Sequence, residues 1–144
     1  MLVQQILNSK SSGEVTTIPC DAKVSDAAGI LSSKRIGALV VSDDGKKVLG
    51  MFSERDVVRE LGKRGTACLS DCVRDLMTSD IVSCSPDDRA HEILQKMTAG
   101  RFRHMPVMKE GAMIGLISIG DVVQARLSEM EMENEALEGM IKGF

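Results

Sequence analysis

The chain repeats itself, and that constrains its fold more than any other feature. Val3-Gln4-Gln5-Ile6-Leu7-Asn8-Ser9 resembles Val73-Arg74-Asp75-Leu76-Met77-Thr78-Ser79 at an offset of 70, and Val15-Thr16-Thr17-Ile18-Pro19 resembles Val82-Ser83-Cys84-Ser85-Pro86 at 67. Residues 24–41 run alongside 90–107 at an offset of 66, and 50–58 alongside 115–123 at 65. An offset that shrinks only between matched blocks puts the length differences in loops, as duplication of one structural unit requires. A unit of about 60 residues buries too little surface to be robust alone, so the two copies need each other. The division expected is residues 1–65 for the first unit, 66–128 for the second and 129–144 for an acidic helical tail.

Each copy reads the same way locally. Val24, Ala27, Ala28 and Leu31 fall at i, i+3, i+4 and i+7 on one helical face, and Ile93, Leu94 and Met97 supply the matching face. Ile36-Gly37-Ala38-Leu39-Val40-Val41, the turn residues Ser42-Asp43-Asp44-Gly45 and then Val48-Leu49-Gly50-Met51-Phe52 predict a hairpin. Residues 102–108 and 113–117 repeat it around Lys109-Glu110-Gly111, and a further helix starts after Ser53 and after Ser118. The fold class is therefore α+β, with a β-α-β-β-α unit present twice. Residues 62–70 read as a polar linker, followed by a short helix over 71–77.

Composition narrows the function classes. Aromatics are 2% of the chain and the net charge is −3, so there is neither a stacking platform for single strands nor a broad basic field for duplexes. Nucleic acid is not the expected partner. The first residues, Met1-Leu2-Val3-Gln4-Gln5-Ile6-Leu7, lack a basic region and are cut short by Asn8-Ser9-Lys10. Neither a signal peptide nor a membrane span is expected there, and a cytoplasmic address follows. Cys20, Cys68, Cys72 and Cys84 show no CxxC pairing, and His91 and His104 are not spaced to complete a metal site with them. No Ser-His-Asp arrangement, metal triad or phosphate-binding Walker loop is present, so an enzyme is not expected.

Both units end their last strand on an apolar residue followed by Ser-x-x-Asp: Ser53-Glu54-Arg55-Asp56 and Ser118-Ile119-Gly120-Asp121. Taken once, this is a capping box, in which the serine satisfies a free first-turn N–H and the acid reaches back. A helix N-terminus directly after a strand also aims unsatisfied N–H groups at whatever lies above the sheet, which suits phosphate. The aspartate one turn in suits ribose hydroxyls. Arg55 and Arg59 in the first unit and Arg103 in the second add positive charge, which favours a phosphorylated ligand.

Four stretches carry a family resemblance together: residues 53–59, 77–82, 101–107 and 115–123. With them the chain resembles a pair of CBS (cystathionine β-synthase-type) domains over nearly all of residues 3–127, and is especially similar to small bacterial stand-alone CBS-pair proteins. The resemblance implies two pseudo-symmetric units packed through their sheets, with two clefts between them for the adenosine part of a nucleotide. AMP comes first among the ligands implied, with ADP, ATP, NAD(H) and S-adenosylmethionine beside it. One cleft would use Ser118, Gly120 and Asp121, with Arg103 on phosphate, Val15 and Thr16 facing adenine, and Ile36 and Gly37 as wall. The other would use Ser53, Arg55 and Asp56, with Thr78, Val82 and Ser83 around the base and Phe102 and Arg103 alongside. His104, beside Arg103, reads as a buried or interface histidine or a ligand contact. The implied protein is a non-catalytic sensor with no catalytic cofactor, a homodimer that signals to an unidentified protein target. The alternative is a structural or protein-interaction dimer module with vestigial clefts.

Beyond Val122 the helical pattern continues. Val123, Leu127, Met130, Asn134, Leu137 and Ile141 are spaced 4-3-4-3-4 among glutamates 129, 131, 133, 135 and 138. This is either a short heptad seam with an asparagine in its core or an acidic amphipathic tail, lying on its own body or fraying because of Gly139.

Overall fold

In the computed structural model, which describes residues 1–10 and 14–141, the repeat becomes two similar cores joined by an exchange of helices. The ends of the expected first unit's opening segment (residues 11–13) and of the acidic tail (142–144) lie outside the described residues. The elements are α1 (Val3–Ser9), β1 (Thr17–Ile18), α2 (Val24–Lys34), β2 (Ala38–Val41), β3 (Gly50–Ser53) and α3 (Glu54–Arg64), then a 3-10 helix (Gly65–Ser70). There follow α4 (Val73–Leu76), α5 (Ala90–Gly100), β4 (His104–Lys109), β5 (Ala112–Ser118) and α6 (Ile119–Ile141).

The predicted helical faces are the buried ones: Val24, Ala27 and Leu31 on α2, and Ile93 and Met97 on α5. Both helices end on an arginine in the left-handed region, Arg35 (φ 54°) and Arg101 (φ 57°). An arginine there carries the steric cost of a Cβ that a glycine would not. β2 pairs antiparallel with β3 and parallel with β1. β4 and β5 form an antiparallel hairpin with a register shift between Val107 and Met108.

Two sequence expectations need correction. The first strand of the second unit, over Val82-Ser83-Cys84-Ser85-Pro86, shrinks to one parallel bridge between Cys84 and Val107. Its cause is local: the Ser85 N–H turns to Asp88 Oδ2 at 2.9 Å, and Pro86 has no N–H to continue a ladder. Nor are residues 62–70 a polar linker. α3 runs on to Arg64, whose guanidinium bonds both Glu60 and Asp71, and the 3-10 turn that follows buries Cys68 completely.

The cores interleave along the chain. Val73 and Leu76 of α4 pack with Val24, Leu39 and Phe52, while Val3 and Ile6 of α1 pack with Ile93, Met105 and Ile117. Backbone bonds lock each exchanged helix in place. Val3 and Gln4 N–H donate to the carbonyls of Asp88 (2.8 Å) and Pro86 (2.9 Å), and Val73 and Arg74 N–H donate to those of Ala22 (2.8 Å) and Cys20 (3.0 Å).

α6 leaves the body as one continuous helix. Val122 and Ala125 are buried, but Leu127, Met130, Leu137 and Ile141 are 50–85% exposed. Up to Ile141 the tail therefore does not lie on its own body, and its apolar seam faces outward.

Candidate functional site

The site is built where helices begin directly off strands. At the β3–α3 junction the Ser53 N–H donates to Asp56 Oδ2 (2.8 Å), with the Ser53 hydroxyl 3.3 Å from the same oxygen. At the β5–α6 junction the Ser118 N–H donates to Asp121 Oδ2 (2.9 Å), and the Asp121 N–H donates to the Ser118 hydroxyl (3.1 Å). Both Ser-x-x-Asp motifs thus cap their helices, and each aspartate also carries an internal cation. Arg59 Nη1 lies 2.9 Å from Asp56 Oδ1, and Lys10 Nζ lies 3.0 Å from Asp121 Oδ2 while also donating to the Leu116 carbonyl at 2.8 Å.

A cleft of about 590 Å³ opens between the two units at the first junction. Ser53, Glu54, Arg55, Asp56 and Arg59 form one side, Arg101, Phe102, Arg103 and His104 the other, and Thr78, Asp80, Ile81 and Val82 run along it. That last stretch is held by paired bonds between Met51 and Thr78, 2.9 Å in each direction. Gly50 makes the approach feasible, since a Cβ there would stand 2.9 Å from the Thr78 carbonyl oxygen and 2.6 Å from Met77 Sδ. Across the cleft Arg55 Nη1 donates to the Arg101 carbonyl at 3.1 Å, tying the first unit to the second.

The lining combines four guanidinium groups with three carboxylates, and Asp56, 4% exposed, is already matched by Arg59. Positive charge therefore dominates the accessible wall. His104 sits on the seam between the two junctions. Burial pushes its pKa below the usual histidine value, Lys10 and Arg103 push the same way, and Asp121 and Glu54 oppose. Asp121 is held below the ordinary carboxylate value: burial pushes it up, but the Ser118 amide and hydroxyl and the Lys10 ammonium outweigh that. Such a cleft can take an anionic group on its arginines and a flat or apolar group between Val82 and Phe102.

Of the residues singled out from sequence, Gly37, Ser53, Arg55, Asp56, Thr78, Val82, Phe102, Arg103 and His104 line this one cleft. Ser83 is exposed and is not part of its lining. Ser118, Gly120 and Asp121 sit at the other junction, and Val15, Thr16 and Ile36 are half-buried outside the cleft, with the Thr16 hydroxyl accepting from Lys34 Nζ at 3.3 Å. Sequence reasoning did not single out Glu54, Asp80, Ile81 or Arg101 as lining, although all four stand within or beside the motif stretches. It also missed Lys10 at Asp121, a pairing across 111 positions that leaves no local signal. Among the described residues no cluster of His, Cys, Asp or Glu is arranged to hold a metal ion, and no helix is long and apolar enough to cross a membrane.

The family model described as "CBS domain" matches the chain twice, at residues 3–63 and 73–128. The chain is 34% identical to the CBS domain-containing protein CBSX3, mitochondrial, of Arabidopsis thaliana, over 98% of this chain and 72% of that protein. It spans only 22–28% of the length of longer Arabidopsis CBS proteins that it also matches. Among solved structures, the CBS-domain containing protein ATU1752 from Agrobacterium tumefaciens superposes with a TM-score of 0.83 at 40% identity, covering 88% of this chain and 99% of that one. The CBS domain pair of protein MJ0100, solved in complex with 5-methylthioadenosine and S-adenosyl-L-methionine, shares the fold at 20% identity, with a TM-score of 0.76 over 90% of this chain and 98% of that one.

Proposed function

The chain belongs to the CBS-domain family as a tandem pair, and from that premise we propose that it is a non-catalytic regulatory module whose cleft between the units binds an adenosine-containing ligand. The observation that carries this reading is the convergence of the α3 N-terminus, Asp56 and four arginines on one cleft shared by both units. In this reading the first-turn amides of α3 and the guanidinium groups take phosphate, Asp56 takes ribose hydroxyls, and Thr78, Val82 and Phe102 flank the base. The ligands of the MJ0100 pair, both adenosine derivatives, support the class. The arginines favour AMP first, with ADP, ATP and NAD(H) as longer variants of the same chemistry.

A sensor must bind its ligand with different affinity in two states. Arg55 is placed for that role, because its bond to the Arg101 carbonyl spans the cleft and competes with any phosphate that enters. A homodimer that passes the change to a protein target completes the proposal, as does a cytoplasmic setting, which the free thiols of Cys20, Cys68, Cys72 and Cys84 suit. A second reading, a structural dimer module with vestigial clefts, draws support from the internal cations already seated on Asp56 and Asp121. A thermal-shift panel of AMP, ADP, ATP, NAD, NADH and S-adenosylmethionine separates the two. A ligand at a hundredfold its Kd adds about 2.7 kcal/mol of stability, and Asp56→Ala should remove that gain. A panel with no shift would favour the structural reading.

A further inference from the structure

Both oxygens of Asp56 already accept from the protein. Its Oδ2 accepts from the Ser53 amide at 2.8 Å and lies 3.3 Å from the Ser53 hydroxyl, and its Oδ1 is taken by Arg59 Nη1 at 2.9 Å. The carboxylate is 6% exposed, so a hydroxyl cannot simply approach from another side. Oδ2 belongs to the helix cap, leaving Oδ1, held by a half-exposed side chain, as the oxygen able to change partners. Arg59, by contrast, is 46% exposed, lines the cleft, and has only long secondary contacts, 3.4 Å to the Leu76 carbonyl and 3.8 Å to Glu60.

We infer that Arg59 is the residue that selects nucleotides over nucleosides, by moving from Asp56 Oδ1 to a ligand phosphate and so opening that oxygen to the ribose. The inference rests on the reading of the cleft as an adenosine site and adds a coupling to it. A neutral sugar that displaced the guanidinium would leave a nearly buried carboxylate without its counter-charge and Arg59 without its best acceptor, which is costly. A phosphate removes the second cost, because a guanidinium binds a phosphate in the same bidentate geometry it offers a carboxylate. Phosphate and sugar are then recognised as one event. Arg55, Arg101 and Arg103 also face the cleft, but none of them holds Asp56, so their attraction for phosphate adds to the sugar's contribution without coupling to it.

The test is a ligand cycle on the full chain by titration calorimetry: AMP, adenosine, and the 2′,3′-dideoxy form of each. In the wild-type protein, loss of the two hydroxyls should weaken AMP about tenfold more than it weakens adenosine, because coupled groups are not additive. In Arg59→Met the two losses should agree within about twofold, with AMP weakened and adenosine unchanged or tighter. Losses that already agree in the wild type, or an Arg59→Met cycle identical to the wild-type one, would overturn the inference while leaving the adenosine site intact. The wild-type cycle needs no variant to fold. If neither AMP nor adenosine binds the wild-type protein, the adenosine reading itself fails, and this coupling with it.

Discussion

His104 is a titratable ring placed where its charge is least favoured. Burial lowers its pKa from the usual 6.5, so below that pH the unfolded chain binds a proton that the native protein resists. Stability should then fall as pH drops from 6.5 toward the native value and stay level above 6.5. Asp121 adds a second, more acid limb. Its pKa is lowered from 3.8 by the Ser118 bonds and Lys10 against the opposing effect of burial, so its contribution is intact above that value and disappears as pH falls through the native one. The expected profile of thermal midpoint against pH is a plateau with two successive declines on the acid side. His104→Gln should flatten the first and leave the second. Lys10→Met should shrink the second decline, since the native carboxylate loses a partner that favours its ionised form and its pKa moves back up toward the unfolded value. A Lys10→Met profile that overlays the wild-type one would show that the pair contributes nothing in solution, as many partly exposed pairs do.

At the scale of elements, the cleft wall depends on how closely the 77–82 stretch lies against β3. Gly50 is the position that permits it, because a methyl group there meets the Thr78 backbone oxygen at 2.9 Å as well as the Met77 side chain at 2.6 Å. Gly50→Ala should cost about 1–3 kcal/mol by overpacking, read as a lower urea midpoint, and, on the proposed adenosine reading, should also weaken AMP binding as Thr78 and Val82 shift. Gly115→Ala is the contrast: its new carbon meets only the Leu7 side chain, at 2.7 Å, and that side chain can turn away. The caps, hairpins and buried helical faces around this wall were legible in the sequence because their causes lie within a few residues. Ser53 and Asp56, or Val24, Ala27 and Leu31, interact along one short segment and announce themselves by spacing. What was not legible has long-range or competing causes. The strand expected at Val82-Ser83-Cys84-Ser85-Pro86 has suitable side chains, but a neighbouring aspartate captures the Ser85 amide. Lys10 finds Asp121 only after the chain has folded around both cores.

The duplication made two units legible, and their pseudo-symmetry suggests two domains that unfold separately, yet the helix exchange argues for one cooperative molecule. α1 opens the first unit in sequence but completes the second core, and α4 opens the second and completes the first, so neither core is whole unless both ends of the exchange are in place. Each half is also small enough to be marginal alone. Ile6→Ala tests this directly. Ile6 is 2% exposed within the second core, and truncating such a residue should cost about 2–5 kcal/mol. Two buried cysteines report the consequence: Cys68, fully buried in the turn packed on α3, and Cys84, 6% exposed in the second core. Burial pushes the Cys84 thiol up to about 12, reinforced by Asp88, so the folded protein offers almost no thiolate there at neutral pH and labelling requires unfolding. If the molecule unfolds as a unit, Ile6→Ala shifts the urea midpoint for labelling Cys68 as far as it shifts that for Cys84, although Ile6 packs in the other core. Labelling of Cys84 at lower urea than Cys68 would mean that the second core opens while the first holds.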